Sequence, residues 1–163
     1  MLTIKDVHAL TGLEPKNLDL YISAFTHRSY LNEHRSFELP HNERLEFLGD
    51  AVLELIATEY LYKTYDHPEG ELTNFRSALV NYKKLSEIAK TMGLEPHLMM
   101  SRGEAKDMGR ARQVILANTI EAVIGAVYLD LGYEAAQGFI TKNILVELPA
   151  IISTQKYLDP KSQ

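Results

Sequence analysis

Apolar side chains recur along this chain at the three- and four-residue intervals of α-helices, and polar breaks separate the runs. Thr3 is placed to cap a first helix that Gly12 ends, with Val7 and Leu10 on its inward side. Asn17 can cap a second helix carrying Leu18, Tyr21, Ile22 and Phe25. Residues 31–40 are polar, contain a proline and read as a loop. Leu45, Leu48, Val52, Leu55, Ile56 and Tyr60 then predict a long helix over about 41–65. The run Asp66-His67-Pro68-Glu69-Gly70 is a turn. Helices over about 71–80 and 81–92 follow, the second closed by Gly93. Residues 101–109 form another loop. A very apolar helix spans about 110–131 and stops at Gly132. The last helix begins near Tyr133 and is bent or broken at Pro149. No segment alternates β-branched and polar residues as a strand would. The pattern is that of one all-α domain without repeats or low-complexity segments.

Composition fits that reading. A chain of 163 residues with 45% hydrophobic and 24% charged residues is long enough to bury a continuous core. The apolar runs, such as 122–131, are expected to fall short of a membrane span, and Met1-Leu2-Thr3-Ile4-Lys5-Asp6 does not resemble a secretory signal. With no cysteine, disulfides and thiolate metal sites are excluded, which is compatible with a cytoplasmic location. A net charge of −5 argues against nucleic-acid binding by bulk electrostatics. Any such binding needs its cations gathered locally, and two groups are candidates: Arg102, Lys106, Arg110 and Arg112, and Arg76, Lys83 and Lys84.

Carboxylates on the two long helices carry the chemical signal. Glu43, Glu46 and Asp50 share one helical face in His41-Asn42-Glu43-Arg44-Leu45-Glu46-Phe47-Leu48-Gly49-Asp50, where like charges repel. Asn118 and Glu121 sit one turn apart on the second long helix, and Glu121 is the sole charge between Arg112 and Asp130. Burying a lone carboxylate among Ile, Val and Ala is costly. If the helices pack side by side, Glu46, Asp50, Asn118 and Glu121 converge on a hard cation such as Mg²⁺, and Gly49 permits the close approach. For Glu43 and Glu46 the plainer alternative stays open: a solvated face with an ion pair to Arg44 or another base. Glu69 by itself is a turn residue or an acid near a helix start, and His27 and Arg28 read as structural groups. Nucleophile–histidine triads, phosphate loops and zinc signatures are absent.

The segment His41–Asp50 resembles the signature of the ribonuclease III family. Other features of that family appear in order: Ala24-Phe25-Thr26-His27-Arg28-Ser29-Tyr30, Glu69-Gly70 with Leu72 and Arg76, Gly103-Glu104, and Glu121-Ala122-Val123-Ile124-Gly125-Ala126-Val127-Tyr128-Leu129-Asp130. The resemblance implies an all-α endonuclease-domain bundle that forms a homodimer with a valley for double-stranded RNA. It implies Glu46, Asp50, Asn118 and Glu121 as ligands of Mg²⁺ or Mn²⁺, with Asp50 and Glu121 catalytic. Glu43 and Glu69 would help shape the cleavage site, and Phe47 would fit a socket on the other subunit. The products would carry 5′-phosphate and 3′-hydroxyl ends with short 3′ overhangs, as in RNA processing. Asn118 stands where the family more often has aspartate. Its amide oxygen can ligate Mg²⁺ but brings no charge.

On the same resemblance, residues 1–157 are the expected catalytic domain, and 158–163 the start of a linker to a double-stranded RNA-binding domain. Two other functions share parts of the pattern. All-helical pyrophosphohydrolases also set Glu and Asp on paired helices around Mg²⁺, but the signature at 41–50 speaks against them. A silent module used for dimerisation or RNA scaffolding would be expected to lack several acids, whereas only Asn118 is altered.

Overall fold

Helix ends are set by local capping chemistry at several points along the chain. In a computed structural model that describes residues 1–158, with side chains described to 155, Thr3 and Asp6 form a reciprocal capping box at the start of α1 (Ile4–Thr11). Gly12 ends that helix in the left-handed conformation (φ 73°), which a Cβ would strain. Asn17 caps α2 (Leu18–Ala24), and Asn81 caps α6 (Tyr82–Met92), which Gly93 closes (φ 84°). Between them lie α3 (Arg28–Glu33), α4 (Glu43–Thr64) and α5 (Glu69–Val80). The chain continues through α7 (Arg102–Lys106), α8 (Arg110–Leu131), α9 (Tyr133–Asn143) and α10 (Leu148–Leu158). No strand forms among the described residues, and a single parallel bridge joins Thr26 to Met99. The all-α expectation holds; of the linker expected over 158–163, Leu158 closes α10 and the remaining residues lie outside those described.

Helix α8 is the axis of the fold. Its residues 115–127, except Asn118, are buried on every side, with α4, α6, α2 and α9 packed around it. Each Ile or Leu hidden there contributes roughly 1.5–3 kcal/mol relative to exposure. By length and composition α8 could cross a membrane, contrary to the expectation for its sequence, yet it lies mostly within the core. A helix surrounded by others is apolar all round for the same reason a spanning helix is.

Several expectations need correction. Residues 102–106 are a short helix where a loop was expected, and the helix over 28–33 runs into the loop expected over 31–40. Helix α5 starts at Glu69, within the turn expected over 66–70, so of the two readings of Glu69 the helix-start acid is the one that holds. The final helical run breaks at Ile144, followed by a 3-10 turn at Leu145–Glu147, before Pro149 is reached. Pro149 sits in the first turn of α10, where its missing N–H costs nothing. Leu55 follows the helical period but is exposed, while Leu53 beside it is buried.

Candidate active site

The two acid-bearing helices make the most extensive contact in the molecule, and they touch backbone to backbone. A Cβ on Gly49 of α4 would overlap the carbonyl of Glu121 on α8 and come within 2.9 Å of the Gly125 nitrogen. A Cβ on Gly125 would in turn meet the carbonyl of Leu45. Because Leu45 faces Gly125 while Gly49 faces Glu121, the helices cross antiparallel. The approach that the sequence assigned to Gly49 therefore needs a second glycine. Gly125 lies one turn after Glu121, and that spacing was its signal.

This crossing brings Glu121 against the face that carries Glu46 and Asp50. Glu121 is only 7% exposed. Burial, then a hydrogen bond to Asp50, then repulsion from Asp50 and Glu46 push its carboxyl up to about 9. At neutral pH it therefore holds a proton. Glu46 is half-buried, and its carboxyl is raised by burial and by the charges of Asp50 and Glu43. Asp50 is exposed, and Asn118 is half-buried one turn before Glu121. Three of the four expected ligands thus sense one another electrostatically. They do not form a finished cage, since no group of three or more His, Asp or Glu among the described residues is disposed to hold a metal ion. The donor set suits a hard divalent cation: all four side chains offer oxygen, and the Glu121 carboxyl among them is desolvated.

The remaining candidates lie outside this group. Glu43 is exposed and pairs at 3.6 Å with Arg28 and at 4.0 Å with His41, a contact of little energetic weight. Glu69 is exposed and lines a cavity of about 400 Å³ with Thr58, Tyr62, His67, Leu72 and Arg76. Phe47 projects from α4 with 80% of its surface exposed, on one stripe with Leu55 and Tyr62, which are also largely exposed. His27 is structural: its Nδ1 accepts from the Ser29 N–H at 3.2 Å to cap α3, and burial lowers its pKa.

Three of the seven cations in the expected basic groups are engaged in ion pairs. Arg112 is buried, donating at 2.8 Å to Glu95 and at 2.9 Å to the Ala105 carbonyl. Arg76 bonds Thr58 and pairs with Glu54, and Lys84 pairs with Glu147 at 2.8 Å. These three cations are drawn out of the expected clusters for the same reason. Each had a carboxylate far along the chain that spacing could not reveal.

The fold has counterparts among known proteins. The family described as Ribonuclease-III-like matches residues 17–148. Ribonuclease 3 of Latilactobacillus sakei is 44% identical over 148 residues, covering 90% of this chain and 64% of that protein. Ribonuclease 3 of Carboxydothermus hydrogenoformans is 48% identical over 134 residues, covering 82% of this chain and 57% of that protein. The chain thus spans about three-fifths of the length of these relatives. Among solved structures, the nuclease domain of ribonuclease III from Campylobacter jejuni superimposes with a TM-score of 0.78 at 37% identity, covering 90% of this chain and 99% of that one. Dicer from Pichia stipitis gives 0.56 at 28% identity, over 78% of this chain and 56% of its own. Agreement of this extent in both sequence and helical architecture means that the chain belongs to the ribonuclease III family.

Proposed function

We propose that this chain hydrolyses the backbone of double-stranded RNA in a divalent-metal-dependent reaction, acting as a homodimer in which each subunit cuts one strand. The observation that carries the proposal is the buried Glu121 set beside Asp50 and Glu46 at a glycine-to-glycine helix crossing. A carboxyl kept there at the cost of desolvation needs a compensating partner, and a cation is the one the donor set fits.

Glu46, Asp50, Asn118 and Glu121 would hold Mg²⁺, or Mn²⁺ in its place. When bound, the metal supplies an activated water and neutralises charge developing on the phosphate. On the protein's side, Glu121 would have to give up its proton for a cation to be held there, so metal affinity should rise with pH. The Gly49–Gly125 contact sets how closely the two acid-bearing helices approach. Asn118 contributes dipole but no charge, leaving Asp50, Glu46 and Glu121 to offset the dication. Glu43 and Glu69 would shape the cleavage site across the dimer.

Phe47 fits the role of dimer anchor. A bare aromatic ring on an exposed stripe is the kind of group that fills a pocket in a partner. The cavity between α4 and α5, bounded by Tyr62, Leu72 and Arg76, would be its receptor on the second copy. The nuclease domain from Campylobacter jejuni likewise has a region involved in dimer formation. Products with 5′-phosphate and 3′-hydroxyl ends, short 3′ overhangs, and a role in cytoplasmic RNA processing complete the reading.

The test is cleavage of long duplex RNA with Mg²⁺ and with EDTA. Cleavage should need the metal and vanish in Glu121→Ala and Asp50→Ala while the dimer persists. Intact duplex at high concentrations of folded, dimeric wild-type protein would replace this reading with a silent RNA-scaffolding module.

A further inference from the structure

Asparagine is among the most effective helix N-cap residues because its side-chain oxygen can accept from the first turn. Asn42 occupies that place before α4 and makes no such bond. His41 does the capping instead, its Nδ1 accepting from the Glu43 N–H at 3.3 Å. Asn42 is 5% exposed, and its carboxamide donates across the fold to the carbonyl of Ala24, at 3.0 Å. Its backbone N–H donates to the carbonyl of Thr26 at 2.9 Å, and its own carbonyl accepts from the Glu46 N–H at 2.8 Å.

The segment that receives these bonds is rigid by construction. Ala24, Phe25 and Thr26 are buried, the Thr26 hydroxyl bonds the Ile22 carbonyl at 2.7 Å, and Phe25 and His27 pair with Met99. Helix α2, which ends in this segment, packs directly on α8. Glu46 is therefore joined through one residue to a frame built on the helix that carries Glu121. The glycine crossing sets how close the two helices lie, but a smooth contact between glycines does not stop α4 from turning or sliding about it. A fixed bond near the start of α4 does.

We infer that Asn42 is a positioning residue for the metal site: its carboxamide fixes the rotation and axial register of α4, and so the place of Glu46 and Asp50 relative to Glu121. This rests on the metal-site reading proposed above and goes beyond it by assigning a part to a residue that reaches neither metal nor RNA. Residues that orient metal ligands from behind commonly change affinity by about 10- to 100-fold when removed.

The test is Mn²⁺ binding, followed by electron paramagnetic resonance, to wild-type protein, Asn42→Ala and Asn42→Asp. Asn42→Asp keeps the shape but replaces the donor with an acceptor facing the Ala24 carbonyl. The folded fraction of each is measured by circular dichroism, and binding is expressed per folded chain. The dissociation constant should rise about tenfold or more in both variants. Half-saturating Mg²⁺ for RNA cleavage should rise in step, with the rate at saturating metal largely recovered. A merely structural role lowers the amount of active protein and leaves the half-saturating concentration where it was. That result, or an unchanged Mn²⁺ constant in both variants, overturns the inference alone. Absence of Mn²⁺ binding by the folded wild type overturns it together with the metal-site reading.

Discussion

In the absence of metal, Glu121→Gln should stabilise the protein, and increasingly so as the pH rises. The folded chain holds the Glu121 proton up to about pH 9, whereas the unfolded chain releases it near the ordinary value of 4.5. Between those limits the native state binds one more proton than the unfolded state. Stability must then fall as pH rises, by as much as about 1.4 kcal/mol per pH unit. Accumulated to pH 8 this reaches about 5 kcal/mol, and water entering around the carboxylate would trim it to a few. Glutamine keeps the shape and cannot ionise. The carboxyls of Asp6 and Glu59, held low by bonds from Thr3 and Tyr133, have the opposite sign, but they act only in acid, near and below their ordinary range. Urea unfolding in EDTA, followed by circular dichroism at fixed protein concentration and at pH 5, 6, 7, 8 and 9, checks this. The wild type should lose stability along the series more steeply than Glu121→Gln, in which Glu46, of the same sign, and His27, of the opposite sign, still act. Adding Mg²⁺ should reverse the order at pH 8, because only the wild type offers a full set of ligands. Parallel stability curves in EDTA would show that Glu121 is not desolvated by its neighbours, and the reasoning would fail.

Gly125→Ala forces a methyl group against the Leu45 carbonyl and should cost about 3 kcal/mol or more, visible as a lower melting temperature together with weakened Mg²⁺ protection. Phe47→Ala should leave each subunit folded and weaken self-association by a hundredfold or so, the scale of an interface anchor, as read by sedimentation velocity. Asn118→Asp adds a negative ligand beside Glu121 and should lower half-saturating Mg²⁺, while making metal-free protein less stable at pH 8 because another carboxylate joins the cluster.

Helix ends and the acids' common faces were legible in the sequence because both are local. Thr3, Asn17, Gly12 and Gly93 act on atoms within a turn, and spacings of three and four fix which side chains of one helix are neighbours. Glu121 could also be singled out, since no arrangement of a helix leaves such apolar flanks in water. Assembly decided the rest. The period marks a stripe on α4 but does not say which stripe faces inward, so Leu55 seemed internal while the open side runs through Phe47, Leu55 and Tyr62. Arg112 looked like a surface cation until Glu95, from a separate turn, took it into the core. Asn42 stood in the sequence only as part of the 41–50 run, yet its carboxamide serves Ala24 on a different helix. Desolvation, charge pairing and hydrogen bonds across helices depend on which atoms the fold makes adjacent, and distance along the chain carries no record of that.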